Sequence, residues 1–289
     1  MSEDSSLPTV APGGSLEFAD AWRAVVTDDR NRWSDPEDDY AFWDDHAADY
    51  EARFVGDPEG LAAIDALVDG TDSVLEIGPG TGRYTRELAR RAARVTAVED
   101  APAMRRELVS NLERAGLRES VTVVPTAWED ADVDPHDVVL AAWSFYRQAD
   151  VEAALETLLE TARKGFVLID TPGCLPPHRR PAVAAGDALA MPPRHAYYCG
   201  LFADRGVYPE VRFESKTRQQ RAPTREALLE TLFPDREEPT AYADALAPWL
   251  EESEDGWRYR YTLPVAVISW ERDRVAGSLA AADAVGCSR

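Results

Sequence analysis

Apolar positions along this chain change their period several times, and each change marks an element. From Leu16 to about Trp33 they recur at helical spacing, with Phe18, Trp22, Val25 and Val26 forming a stripe. Ser34-Asp35-Pro36 is a helix start signal, and a second helix is expected from it to about Phe54, with Trp43, Ala47 and Tyr50 on one face. A third helix is expected over about Pro58 to Val68. Short apolar runs then alternate with amphipathic stretches. Val74 to Ile77, Val95 to Glu99, Val121 to Val124, Asp137 to Ala142 and Phe166 to Asp170 are strands. The segments between them are helical, including Arg83 to Arg91 with Tyr84, Leu88 and Ala92 on one face, a helix closed by Gly116, and Val151 to Ala162.

Alternating β and α units of this kind predict a parallel sheet with right-handed crossovers. After Thr171 the regularity lapses: prolines and a basic island (His178, Arg179, Arg180, Arg194 and His195) replace the next crossover. Such a segment fits a substrate lid, or arginines that pair with surface acids. A helix from His195 toward Arg205, a strand over Val207 to Lys216, two helices at Pro223 to Phe233 and about Pro239 to Glu252, and a last strand at Trp257 to Trp270 complete the chain. Gly256 to Tyr261 alternates as an antiparallel edge would. Four regions follow: a disordered tail at 1–15, N-terminal helices at 16–70, a core at 71–170, and a remainder at 171–289 with inserted caps at 171–200 and 223–253. An Ala-rich frayed helix is expected after Asp273.

The first strand runs into V-L-E-I-G-P-G-T-G, with Gly78, Gly80 and Gly82 at alternate positions. Glycines allow positive φ and close backbone approach, and the following helix start leaves N–H groups unpaired, so the turn suits a polar small molecule. A dinucleotide fingerprint would space its glycines G-x-G-x-x-G, which this turn does not. Glu76, two residues before the first glycine, suits an ammonium better than a pyrophosphate. Glu99 ends the second strand 17 residues past Gly82. A carboxylate there can accept both ribose hydroxyls of a nucleoside.

The stretch resembles motif I of the class I S-adenosylmethionine-dependent methyltransferases, (D/E)-x-G-x-G-x-G, with matches at Glu76, Gly78, Gly80 and Gly82. The resemblance implies a Rossmann-like, doubly wound seven-stranded α/β sheet, mostly parallel with an antiparallel last strand, N-terminal helices over the methionine end of the cofactor, and a helical cap. It implies S-adenosyl-L-methionine as cofactor. Gly78, Pro79, Gly80, Thr81 and Gly82 would give the backbone approach, and Glu76 would meet the methionine ammonium. Glu99 would hold the ribose, with Asp100 and Met104 following it near the adenine. Ala127 would give the adenine an N–H and Trp128 a stacked ring. Trp143, Ser144, Phe145 and Tyr146 would lie where methyl donor and acceptor meet. No catalytic base is assigned; His46, His195, Asp170 and Tyr146 are candidates, and no metal is expected.

Composition narrows the acceptor. The 289-residue chain has 53 acids against 31 bases, a net charge of -22, and Lys164 and Lys216 are its two lysines. Phosphate neutralisation by basic residues supplies most non-specific nucleic-acid affinity, so the expectation is a small-molecule substrate, with no nucleic acid and no membrane as partner. Residues 143–146 carry neither of the motifs of DNA amino or pyrimidine C5 methylation. A protein acceptor, a NAD-dependent oxidoreductase and a cofactor-binding protein without turnover are the alternatives. The lack of an 18-residue apolar run and of a signal pattern predicts a soluble, cytoplasmic chain, and Cys174, Cys199 and Cys287 make no disulfide framework or zinc pattern.

The acidic, lysine-poor surface resembles that of halophile proteins, in which molar salt screens self-repulsion. The melting temperature is therefore expected to rise between millimolar and molar KCl; an unchanged value would remove the idea.

Overall fold

The computed structural model describes residues 18–28, 36–184, 186, 190, 192–233 and 238–272. The expected tail at 1–15 and the helix after Asp273 lie outside them. In chain order the elements are α1 (Phe18–Val26), α2 (Pro36–His46), β1 (Phe54–Val55), α3 (Leu61–Leu67), β2 (Ser73–Ile77), α4 (Thr85–Ala89), β3 (Arg94–Val98), α5 (Pro102–Ala115), β4 (Val121–Val124) and β5 (His136–Ala142). Next come α6 (Val151–Thr161), β6 (Ala162–Asp170), α7 (Arg180–Ala184), α8 (Arg194–Asp204), β7 (Glu210–Ala222), α9 (Arg225–Leu232), α10 (Ala243–Leu246), β8 (Leu250–Ser253) and β9 (Gly256–Glu271).

One sheet runs in the order β1-β7-β9-β6-β5-β2-β3-β4, with β8 paired to β9. Strands β2 to β6 are mutually parallel, and β9 is antiparallel to both β6 and β7. The doubly wound, mostly parallel sheet with an antiparallel last strand is therefore as expected. Among the described residues it has nine strands rather than seven.

The two added strands have local causes. β7 would otherwise expose unpaired backbone at the sheet edge. Phe54 and Val55 cover it by pairing with Arg218 and Thr217, so the second helix stops at His46 and never reaches Phe54. The expected helix at 239–252 is broken into short turns, with Pro248 inside the last of them. Leu250 to Ser253 then fold back on β9 through a tight turn at Gly256. β9 is consequently flanked on both sides near Trp257 to Tyr259, where an edge was expected.

Side-chain alternation along the strands divides the core between the two faces. Leu75 and Ile77 of β2 join Val139, Phe166 and Ile268 under α1, α6 and α8, where Trp22, Leu155 and Phe202 are buried. Val74 joins Val95, Val138 and Val167 under α3, α4 and α5, with Ile64, Leu88 and Leu108. Residues of α9 and α10 form a smaller cluster around Tyr259.

Candidate functional site

The carboxyl ends of β2, β3 and β5 open on a cavity of about 380 Å³, a size that suits a small organic ligand. Gly78, Pro79, Gly80 and Thr81 line it, with Glu99, Asp100, Ala101, Met104, Trp143, Ser144 and Tyr146. The glycine turn is left-handed at Gly78, Gly80 and Gly82, with φ of 64°, 57° and 88°. Two of these glycines do different work. A Cβ at Gly82 would meet Leu108 Cδ1 at 2.6 Å, so that residue lets α5 pack against the turn. A Cβ at Gly80 would meet only Met104 Sδ at 4.0 Å, which leaves open space above the backbone.

Glu99 stands at the tip of β3 and is buried. Its Oε2 accepts the Gly80 N–H at 2.8 Å and its Oε1 accepts the Ala101 N–H at 3.0 Å. Each oxygen keeps a further lone pair, and the residue lines the cavity. Burial, helped by the adjoining Asp100 carboxyl, raises its carboxyl to about 7, against the two backbone donors that pull it down.

Glu76 lies elsewhere. Side chains alternate along β2, so Glu76 shares the face of Val74 rather than that of Leu75 and Ile77, and it is absent from the cavity wall. It sits behind the glycine turn beside Thr85, fully buried, with Oε2 unpaired. Burial pushes its carboxyl up to about 8, with the Thr85 hydroxyl opposing.

Trp128 is packed in the core with Ile77 and Val98, and neither it nor Ala127 lines the cavity. Protein rather than ligand covers its ring. Beyond the end of β5 the chain turns sharply. Trp143 is the one non-glycine residue with positive φ among the described residues, at 60°, while its N–H donates to Ile169 O at 2.9 Å. Strain of this kind collects where a structure holds a side chain in a set place. Trp143 Nε1 is buried without a partner. Ser144 donates to Ile77 O, and Phe145 is buried in the core.

The N-terminal segment closes the site. Phe42, Trp43, Tyr50, Arg53 and Phe54 line the cavity, and Trp43 Nε1 donates to the Tyr146 hydroxyl at 3.0 Å. Glu51 ties the segment to the turn by accepting from both Arg86 terminal nitrogens at 2.9 Å and from Thr81 Oγ1 at 3.1 Å. Tyr40 and Arg147 both donate to Asp100.

Among the candidate bases only Tyr146 lines the cavity. His46 stacks on Phe42 outside it, and His195 packs against Phe213 with burial depressing its basicity. Asp170 is buried under Arg194 and Tyr198, which donate to it at 2.6 and 2.7 Å. One arginine of the expected lid is thus paired with an acid, though a buried one.

Arg53, Arg83, Lys216, Arg218 and Tyr261 are among the cavity residues that were not expected there. Lys216 carried a signal. One of two lysines, it falls on the same face as Arg218 in a strand of alternating positions.

A methyltransferase-domain family model matches residues 74–165, which covers the glycine turn, Glu99 and strands β2 to β5. Residues 74–165 thus carry a methyltransferase domain. The chain's fold is similar to that of a candidate methyltransferase from Bacillus halodurans C-125, at a TM-score of 0.52 and 9% identity over 74% of this chain and 98% of that one. It is also similar to the YcgJ protein of Bacillus subtilis, at 0.51 and 13% over 74% and 97%. In sequence the chain is 41% identical over 76 residues to a ribosomal RNA small subunit methyltransferase A of Corynebacterium efficiens, which is 25% of this chain and 26% of that protein. It is 35% identical over 83 residues to a probable dimethyladenosine transferase of Dictyostelium discoideum, 27% and 26% of the two chains. The match thus spans about a quarter of the length of these curated relatives.

These relatives overturn the exclusion of nucleic acid drawn from the charge balance, since two of them are named for methylation of RNA or its adenosines. A net charge sums over the whole surface, whereas a ligand meets the local field, and the cavity wall is rich in arginine. No helix among the described residues is long and apolar enough to cross a membrane, and none of their His, Cys, Asp and Glu residues group as metal ligands.

Proposed function

We propose that this chain transfers the methyl group of S-adenosylmethionine to an acceptor held in the 380 Å³ cavity. The observation that carries the reading is Glu99: a buried carboxylate fixed by two turn N–H groups, with lone pairs left beside the open face of Gly80. Those lone pairs suit the two ribose hydroxyls of a nucleoside. Gly78 to Thr81 would carry the backbone approach, Met104 and Asp100 the adenosine end, and Trp43 and Tyr50 would cover the site from the N-terminal segment. Bound there, S-adenosylmethionine supplies an activated methyl carbon open to in-line displacement. The protein's part is to hold the acceptor in line and to keep water out, and orientation of this kind supplies much of such an acceleration. Tyr146, whose hydroxyl accepts from Trp43, would hold or orient an acceptor proton.

The acceptor reads as a small molecule, on the size of the cavity. A nucleotide of RNA is the second reading, favoured by the names of the curated relatives. Titration calorimetry with S-adenosylhomocysteine against NADH tests the cofactor; tight binding of NADH alone would remove the proposal. Release of S-adenosylhomocysteine, measured with metabolite and RNA fractions of a cell extract separately, distinguishes the acceptors.

A further inference from the structure

The cavity extends from the glycine turn to the β1–β7–β9 end of the sheet, and there its chemistry changes. Arg53, Arg83, Arg179, Lys216 and Arg218 all line it. Arg83, Lys216 and Arg218 crowd one phenyl ring, at 4.5, 4.9 and 4.4 Å from the Phe54 centroid. Lys216 Nζ also stands 3.8 Å over Trp143. Register accounts for the gathering: Arg218 pairs with Phe54 on one side and Tyr261 on the other, and Lys216 lies two residues before it on the same face.

None of these five cations forms an ion pair among the described residues. Arg147 and Arg194, which line the same cavity, are taken up by Asp100 and Asp170. The contrast matters because 53 acids are available in this chain. Three acids line the cavity: Glu59, Glu99 and Asp100. Glu99 is engaged at the turn and Asp100 by Arg147, which leaves Glu59 in the wall, while Asp170, already held by Arg194, acts on Lys216 and Asp49 acts on Arg53 from outside it. Arg83 Nε is buried with no hydrogen-bond partner. Burial and the neighbouring Arg218 lower the basicity of Lys216 and of Arg53. Like charges held together away from water cost energy unless an opposite charge joins them. The carboxylate of the methionine moiety would answer one of the five, and Arg83, next to Gly82, is nearest to the turn in the chain.

We infer that the cations at the β1–β7–β9 end form a seat for an anionic group of the acceptor, a carboxylate or a phosphate, so that the methyl acceptor is an anion. Planar guanidinium forks on Arg53, Arg179 and Arg218 match either oxyanion in bidentate fashion. Phe54, Trp143 and Tyr261 supply an apolar wall beside it. The inference rests on the methyl-transfer reading for its meaning, but the anion seat is testable apart from it. The oxyanion has two sources, a free small molecule or the phosphate of an RNA nucleotide.

The test uses the full chain at constant KCl, first saturated with S-adenosylhomocysteine. Titration calorimetry follows binding of inorganic phosphate, of benzoate, and of a mixed-sequence single-stranded RNA decamer. The wild type is expected to bind at least one of them at one site. Arg218→Gln and, as a second variant against a failure to fold, Arg179→Gln are expected to weaken that binding at least tenfold while S-adenosylhomocysteine affinity changes less than threefold. Binding of phosphate or benzoate identifies a small anion; binding of the decamer with neither small anion identifies RNA as the source. Absence of all three from the wild type overturns the seat and leaves the cofactor reading standing. If both variants lose S-adenosylhomocysteine together with the anion, the cations serve the cofactor's own carboxylate and the inference falls. A wild type that takes the anion but not S-adenosylhomocysteine keeps the seat and sinks the cofactor reading instead.

Discussion

Glu99→Gln is expected to weaken S-adenosylhomocysteine binding about 100-fold, close to 2.7 kcal/mol. The carboxylate accepts from Gly80 and Ala101, one on each oxygen, and keeps one lone pair on each for a ligand. An amide has one acceptor oxygen, so its NH2 must face either a turn N–H or a ribose hydroxyl that needs an acceptor. Hydrogen bonds to a charged partner are worth about 1.5 to 3 kcal/mol each, and one or two are lost. Glu99→Asp keeps both acceptors on a shorter stem and should cost about tenfold less than the amide does. Titration calorimetry of both variants checks the ranking. A loss below threefold in the amide variant would show that the ribose is held elsewhere.

Glu76→Gln is expected to stabilise the ligand-free protein above pH 8 and to leave it unchanged near pH 5. In the fold burial raises the Glu76 carboxyl from an ordinary 4.5 to about 8. Between those values the native state keeps a proton that the unfolded chain has lost. Stability therefore falls as pH rises through this window, by a few kcal/mol at most. Glu99, raised to about 7, acts in the same direction over a narrower range. Glutamine at 76 has no proton to lose, so its melting curve should cross the window without that decline and gain several degrees at pH 8.5. The same substitution should reduce S-adenosylhomocysteine affinity about tenfold if an ammonium draws on the charge behind the turn. Binding to the wild type at pH 7 should then release a proton, visible as a buffer-dependent enthalpy. Parallel melting curves for the two proteins from pH 5 to 8.5 would show that the unpaired Oε2 is no cost to the fold.

How far the site could be read from sequence differs between its two ends. The turn is local: three glycines, a preceding strand and a following helix lie within a dozen residues, and Glu99 is the end of the next parallel strand. Trp128 shows the limit of such reading, because an aromatic at a strand end is satisfied equally by a ligand or by core, and here Ile77 and Val98 cover it. Glu76 matched a motif, yet strand alternation put it behind the turn with Oε2 unpaired and its proton retained well above the usual carboxyl range. The charge balance misled for a related reason: it averages over a surface, while the cavity gathers cations from positions 53, 83, 179, 216 and 218.

From the order of amino acids alone come the alternating β and α units, the left-handed glycine turn and the carboxylate at the next strand tip. Each depends on neighbours within a few residues and on the backbone freedom of glycine. The folded chain decided the rest: that Phe54 and Val55 would cap the edge of β7, that Lys216 and Arg218 would stand beside Tyr261, and that Trp43 would reach Tyr146. Those contacts join residues far apart in sequence, and which strands pair and in what register is settled by burial over the whole sheet rather than by any local pattern.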